Sequence, residues 1–387
     1  MSSTLLRDTR SRSAARRAGT WRTSISGASA RQWLARLTWA YVAVVFVACL
    51  VLWTLADRWW PATLFLFGPR WILLLPLAAL VPSAAVLRRR LLAPLLVAAL
   101  IVLVPTMGLR LGWGSWLEGP DGGALRVVTL NAGGSEALGF ELPFRARDWN
   151  ADIVAIQECG SSLASVVRDI PDWYHHVDGQ LCVLSRHPID TSRAISWDDL
   201  AGAREQGLGG SSHAAEYSIT TPGGSVRVVN LHLETARKGL EGAFDLDFGR
   251  ISANLTLRAA ESRRMRDWIG EDAEAVIIVG DFNMPIESAI YRRDWSDFRN
   301  AFSDIGVGFG ATRDNGWIQV RIDHVLTGSA WTATRAVVGP VVGVDHRPVI
   351  VDLARADASS VSTHAQPRAS AHAPHRGISR TYASRAR

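Results

Sequence analysis

Apolar and polar positions divide this chain into two regimes. From Leu37 to Leu109 apolar residues dominate, whereas after Ala124 they recur in short runs separated by Gly, Pro, Asp and Asn. In the first regime, "LTWAYVAVVFVACLVLWTLA" (Leu37 to Ala56) is uncharged and has the roughly 20 residues that a bilayer-spanning helix requires. Its end carries no small-residue cleavage signature, so it reads as an anchor rather than a removable signal peptide. "WILLLPLAALVPSAAVL" (Trp71 to Leu87) and "LLAPLLVAALIVLVPTMGL" (Leu91 to Leu109) follow, joined only by Arg88, Arg89 and Arg90, and together predict a helical hairpin with a basic turn. The 17-residue stretch with two prolines also allows a re-entrant segment, which leaves two spans instead of three.

In the second regime the apolar runs are β-branched and short, as strands buried on both faces are. Each finishes on polar chemistry. "LRVVTLNAGG" ends at Asn131 and "ADIVAIQECG" at Gln157 and Glu158. "SVRVVNLHLET" carries Asn230, His232 and Glu234 on alternate positions, and "AVIIVGDFNMP" carries Asp281 and Asn283. "RIDHVL" offers Asp323, and "VGVDHRPVIVDL" offers Asp345 and His346. Asp281 and Asn283 lie two apart, so in extended chain they share a side while Phe282 points into the core. Each polar end has a simple alternative, since Asp and Asn also open turns and a lone histidine is often a satisfied core residue. Six such coincidences on six strands favour one shared site. "ISANLTLRAAESRRMRDWIG" has helical spacing and predicts a scaffold helix before the Asp281 strand, and "ARKGLEGAFDLDFGR" reads as a mobile loop beside the site.

Charge adds an orientation. The 387 residues carry a net charge of +6, but residues 124–355 hold 23 Lys and Arg against 31 Asp and Glu. The soluble part is therefore acidic and is not the basic footprint of a nucleic-acid-binding surface. The excess of arginine lies in residues 1–36, expected to be a disordered cytoplasmic tail, in the Arg88–Arg90 turn, and in residues 356–387, a Ser-, Ala-, His- and Pro-rich segment also expected to be disordered. Basic residues beside spans stay on the cytoplasmic side. Three spans then place residues 124–355 outside the plasma membrane, after a linker at 110–123, with Trp59, Trp60, Trp71, Trp113 and Trp116 as an aromatic belt. Two spans place them inside. Cys159 and Cys182 permit one bridge, although buried free thiols are the commoner state of strand cysteines. Apart from the lipid bilayer, no feature calls for an obligate protein partner.

The chemistry suggested is metal-assisted attack on phosphorus. Carboxylates with an amide suit a hard ion, Mg²⁺ or else Mn²⁺, and histidines supply hydrogen bonds and proton transfer. No GxSxG, HExxH or GxxxxGK[ST] pattern is present, and no Cys/His group has zinc spacing.

The ordered set "TLNAGG", "IVAIQE", "NLHL", "GDFN", "RIDHVL" and "VDHRPV" resembles the endonuclease/exonuclease/phosphatase superfamily over roughly residues 124–355. That resemblance implies an α/β (α+β) fold, the four-layered αββα sandwich of DNase I-like type, preceded here by a transmembrane helical region outside the family pattern. It implies a divalent-metal hydrolase of ester bonds, with Glu158 as principal metal ligand and Asn131 and Asp345 completing or flanking the metal. Asp281 then positions or deprotonates the attacking water, Asn283 donates to phosphate oxygens, and His232 contacts the same phosphate. His346 stabilises developing charge with its ring oriented by Asp323. "CVLSRHPI" resembles the family's substrate strand and places Arg186 near the phosphate; Arg237 and Lys238 follow the His232 strand and are further phosphate contacts. The substrate is a phosphodiester or phosphomonoester, in nucleic acid, a lipid headgroup or a small phosphate. A catalytically silent binding or sensor domain, the competing reading, predicts missing acids or histidines.

Overall fold

The computed structural model describes residues 5–112, 124–195, 212–270 and 273–356. Trp113, Trp116 and the segment from Asp357 onward lie outside the described residues. The amino-terminal half is helical: α1 (Leu5–Leu55), α2 (Trp60–Phe67), a 3-10 stretch Arg70–Leu74 leading into α3 (Leu77–Leu87), and α4 (Leu92–Ile101), which ends in a π-helical turn Val102–Thr106. Pro105 lies in that turn, where a wider helix accommodates its missing N–H. Three stretches, Ala28–Leu55, Arg70–Leu87 and Arg89–Thr106, are long and apolar enough to cross a membrane. The first helix begins at Leu5 and is continuous with the first of these stretches. Its alanines and arginines are good helix formers, and no proline occurs before Pro61. Tyr41, Val45, Ala84, Leu95 and Ala98 pack together between the helices. Trp39, Val44, Phe46, Val47 and Leu50 instead face outward, uncovered by protein.

From Arg110 the strands are β1 (Arg110–Leu111), β2 (Leu125–Asn131), β3 (Ile153–Gln157), β4 (Tyr174–Asp178), β5 (Leu181–Ser185), β6 (Ile189–Ala194), β7 (His213–Thr221), β8 (Gly224–His232), β9 (Val276–Asp281), β10 (Arg299–Asn300), β11 (Val307–Gly308), β12 (Arg313–Asp314), β13 (Gln319–Val320), β14 (Asp323–Thr327), β15 (Trp331–Val338) and β16 (Val349–Arg355). Two six-stranded sheets form, ordered β15-β16-β2-β3-β5-β4 and β10-β14-β9-β8-β7-β6. Among the described residues only β2–β3 and β8–β9 pair in parallel, and the helices Ala137–Asp148 and Phe248–Ile269 belong to the crossovers that parallel pairing requires.

Side-chain alternation builds four layers from these sheets. Val127, Ile153, Val183, Val228, Ile277 and Val279 meet between the sheets. Val128, Val154 and Ile156 turn outward under the helices Ala137–Asp148 and Ser161–Asp169. Val229, Leu231 and Ile278 do the same under Phe248–Ile269. This is the αββα sandwich of DNase I-like type.

Two local expectations are corrected. The segment read as a mobile loop forms the helix Arg237–Phe244 and the start of Phe248–Ile269, with Asp247 accepting a hydrogen bond from the Arg250 amide as its cap. Periodicity was obscured there because two helices meet at a three-residue corner. Cys159 and Cys182 are not free thiols but a disulfide, spanning 23 residues between the end of β3 and the neighbouring β5.

The two halves are packed, not merely tethered. Leu52, Ala56, Leu66 and Phe67 meet Ala236, Val320 and Ile322. Inside the contact, fully buried Arg258 donates to Asp57 at 2.6 Å, Ser288 donates to the other Asp57 oxygen, and Arg70, which donates to the Thr106 carbonyl, lies 3.5 Å from Glu287. β1, in the expected linker, pairs with β11.

Candidate active site

The alternation that builds the core also delivers the polar residues. Along β2, Val127 points between the sheets and so does Asn131; along β8, Val226 and Val228 lead to His232; along β9, Ile277 and Val279 lead to Asp281. Register then sets neighbours, since His232 pairs with Asp281 across β8–β9 and Asp281 with Asp323 across β9–β14. The inter-sheet layer thus turns polar at one edge. Gly280 is required in that approach: its φ is +144°, and a Cβ would lie 1.9 Å from the Leu231 carbonyl oxygen.

A buried clamp precedes the site. Gln157 donates to Asn230 of the opposite sheet at 2.7 Å, and Asn230 donates to the carbonyls of Ile156 and Cys182. It tightens the two sheets where their polar ends must meet. Glu158, one residue beyond β3, has a left-handed φ of +49°, which turns its side chain to the site mouth, where it is 40% exposed. The Asn131 amide donates to Glu158 at 3.0 Å and to Asp281 at 2.9 Å, while its oxygen accepts from the Gly133 amide. His232 lies 3.7 Å from Glu158 and 3.8 Å from Asp281. His346 places Nδ1 2.9 Å from Asp323, with its Nε2 3.8 Å from Asp281.

Charge follows from this crowding. Burial, then the negative Asp323, raises the Asp281 carboxyl above the ordinary carboxylate range, against the pull of His346, His232 and the Asn131 amide. Burial lowers the His346 imidazole, but the charge and hydrogen bond of Asp323, with Asp281, outweigh it and lift the ring to about 9. Near neutrality His346 is therefore a cation beside a carboxylate of raised basicity. The donor set fits a hard divalent cation. Asp281, Asp323 and His346, whose ring must give up its proton to ligate, bring ligand atoms within 4.8 Å of one another, and Glu158 offers a separate, 40% exposed carboxylate beside the Asn131 amide.

Asn131, Glu158, His232, Asp281, Asp323 and His346 come together; the other sequence candidates stand differently. The chain leaves β9 after Asp281, and Asn283 has φ +51°, so the extended arrangement that placed both side chains on one side does not hold. The Asn283 amide N–H of the side chain donates to the Leu233 carbonyl, and its backbone N–H to Asp281. Asp345 turns to Arg313 at 2.6 Å. Arg186 follows β5, whose register sets Cys182 against Ile156 and Ser185 against Ile153, so Arg186 lies at the opposite end of the sheet from Glu158 and stacks on Trp173. Arg237 is exposed, near Glu241, and Lys238 pairs with buried Glu234. The sequence reading missed Arg313, whose Nη1 lies 3.1 Å from His346 Nε2. Its motif is unremarkable, and only the β12–β13 hairpin brings it there. A surface cavity of about 800 Å³ is lined by Arg126, Arg335, Arg347 and Asp352 among others, and none of the clustered acids lines it.

Residues 128–372 match the model of the Endonuclease/Exonuclease/phosphatase family, and the chain belongs to that family. Among solved structures it is similar to humanized D. rerio TDP2 carrying 14 mutations, at 15% identity over 60% of this chain and 99% of that one, with a TM-score of 0.46. An endonuclease/exonuclease/phosphatase protein of Beutenbergia cavernae shares 16% identity over 60% and 72% of the two chains, TM-score 0.44. A mannosyl-6-phosphatase of Bacteroides thetaiotaomicron shares 15% over 59% and 99%, TM-score 0.41. Comparison with curated protein sequences gives no match.

Proposed function

We propose that this chain is a membrane-anchored, divalent-metal-dependent phosphoesterase that hydrolyses a phosphodiester or phosphomonoester by water attack. The observation that carries the reading is the convergence of Asn131, Glu158, His232, Asp281, Asp323 and His346 from both sheets on one polar edge. Glu158 with Asn131 would hold the cation, Mg²⁺ or Mn²⁺, which when bound polarises a phosphoryl oxygen. Asp281, buried and of raised basicity, orients the water and accepts its proton. His232 holds the phosphate from the other side. His346, kept protonated by Asp323, faces charge developing on phosphorus oxygens. Arg313 Nη1 lies 3.1 Å from His346 Nε2, so the two side chains can face one anion from adjacent positions, and Asp345 flanks the site by holding Arg313. Asn283 contributes through its backbone N–H, which fixes the Asp281 carboxylate.

The arginine distribution favours the extracytoplasmic side for residues 124–355, and the disulfide fits an oxidising compartment. A reporter active only in the cytoplasm, fused after Arg355, is expected to be inactive; activity favours the two-span arrangement. For the chemistry, the full chain in lipid nanodiscs is assayed with Mg²⁺ or Mn²⁺ against DNA, RNA, lipid headgroup diesters and small phosphomonoesters. Hydrolysis is expected on at least one of these, abolished by chelation, restored by metal, and lost in Glu158→Ala. Metal-independent turnover, or an active Glu158→Ala, overturns the assignment.

A further inference from the structure

An apolar groove of about 220 Å³ opens directly beside the site. One end is polar, with Asn283 and Arg313, and Arg237 stands at its rim. The other end is Phe67, the last residue of α2, which follows the first apolar span; Leu240, Ile318 and Val320 form the wall between them. Phe67 does not belong to the family domain, so the groove exists only where the helical half meets the catalytic half. Its volume lies below the roughly 300–1,000 Å³ of a pocket that encloses a whole small ligand. It suits one part of a molecule. Aromatic side chains of the kind that settle at a bilayer surface also join the two halves: Trp71 packs at 5.7 Å on exposed Trp317, the residue before the groove-lining Ile318, and Trp60 packs on Phe248 at 4.9 Å.

We infer that this groove is a chain-binding subsite, so that the substrate is an amphiphilic phosphoester of the bilayer: its phosphate lies among Arg313, His346 and the metal ligands, and its hydrocarbon chain runs past Ile318 and Leu240 to Phe67. The inference rests on the phosphoesterase reading. Continuity carries it, since the groove joins the catalytic edge to a residue next to a span. Charge agrees, with arginines where an anionic ester would lie and apolar side chains where its chain would lie. Thr235, Glu241 and Asn315 also line the groove, so the chain's place is the apolar strip of Phe67, Ala236, Leu240, Ile318, Val320 and Ile322, a surface that a freely soluble sugar phosphate or a nucleic acid has no apolar part to cover.

The test uses the full chain in nanodiscs with two chromogenic diesters, hexadecyl 4-nitrophenyl phosphate and methyl 4-nitrophenyl phosphate. In both, water adds to phosphorus, the bond to nitrophenolate breaks, and the water proton passes to Asp281. The wild type is expected to prefer the hexadecyl ester. Ile318→Asp or Leu240→Gln, neither of which touches the reacting atoms, should lower kcat/KM for it by about tenfold or more, as loss of a good hydrophobic subsite does, and leave the methyl ester within about twofold. Equal losses on both esters, or none on either, overturn the subsite while leaving the phosphoesterase intact. Should neither ester be hydrolysed, the groove is judged by a hexadecylphosphonate bearing a terminal diazirine. Photolabel is expected on the peptides containing Phe67, Leu240 and Ile318 and to be lost in Ile318→Asp; label confined to other peptides overturns it.

Discussion

Asp281 and Asn283 stand two residues apart and serve differently. Asp281 is buried, hydrogen-bonded by Asn131 and by the Asn283 backbone, and of raised basicity. Asp281→Asn keeps the shape and removes the base, so turnover should fall by about 10² to 10⁴ with the melting temperature nearly unchanged; a variant that melts early and keeps its activity per folded molecule refutes this. Asn283→Ala is expected to do harm of another kind. A left-handed alanine costs about 1 kcal/mol and the lost bond to Leu233 about another, so this variant should melt lower, and Asn283→Gly should melt higher than Asn283→Ala by relieving the backbone. His324 supplies the pH dependence. Burial foremost, then nearby Arg321, lowers its ring to about 3, against the ordinary value of 6.5. The unfolded chain therefore binds the proton first, and this residue erodes stability as pH falls from about 6.5 towards 3. The acid limb of the unfolding curve should be shallower in His324→Gln, and an unchanged limb argues against the assignment.

At the level of elements, β3 and β5 are joined by the Cys159–Cys182 disulfide immediately after Glu158. The double change Cys159→Ser with Cys182→Ser opens a loop whose closure is worth roughly 3 kcal/mol, and it releases the turn that gives Glu158 its left-handed backbone. Both a lower melting temperature and a higher Mg²⁺ requirement are expected; a lower melting temperature with unaltered metal titration would separate the bridge from the site. The strands themselves were legible in sequence, because β-branched runs ending in Asn131, His232 and Asp281 carry both the core pattern and the chemistry. What could not be read was anything that depends on chain direction after a strand ends. The turn at Asn283, the pairing of Asp345 with Arg313, and the placement of Arg186 at the far end of β5 are set by register and by φ, neither of which a motif encodes. The clamp from Gln157 to Asn230 was hidden for a related reason: its partners are 73 residues apart.

Across the whole molecule, a buried ion pair joins the end of the first apolar helix to the catalytic half. Asp57→Ala leaves Arg258 unpaired in a site that excludes water, at a cost of about 3–5 kcal/mol. Because Arg258 also donates to the Asn283 carbonyl, turnover should fall with stability. The paired change Asp57→Leu with Arg258→Met should recover much of the melting temperature, as apolar replacements of buried pairs do; failure to recover means the contact is not packed as described. The same junction settles how the enzyme would meet a lipid. α2 and the Arg70–Glu287 contact seat the catalytic half against the helices, so, if those helices span a bilayer as proposed, the mouth would be held at a set height above it rather than carried on a flexible stalk. Encounter then becomes two-dimensional. For the bilayer phosphoester inferred above, diluting the substrate with inert lipid at constant total substrate should slow the reaction, whereas diluting the vesicles in buffer should not, because velocity would follow mole fraction in the plane of the membrane.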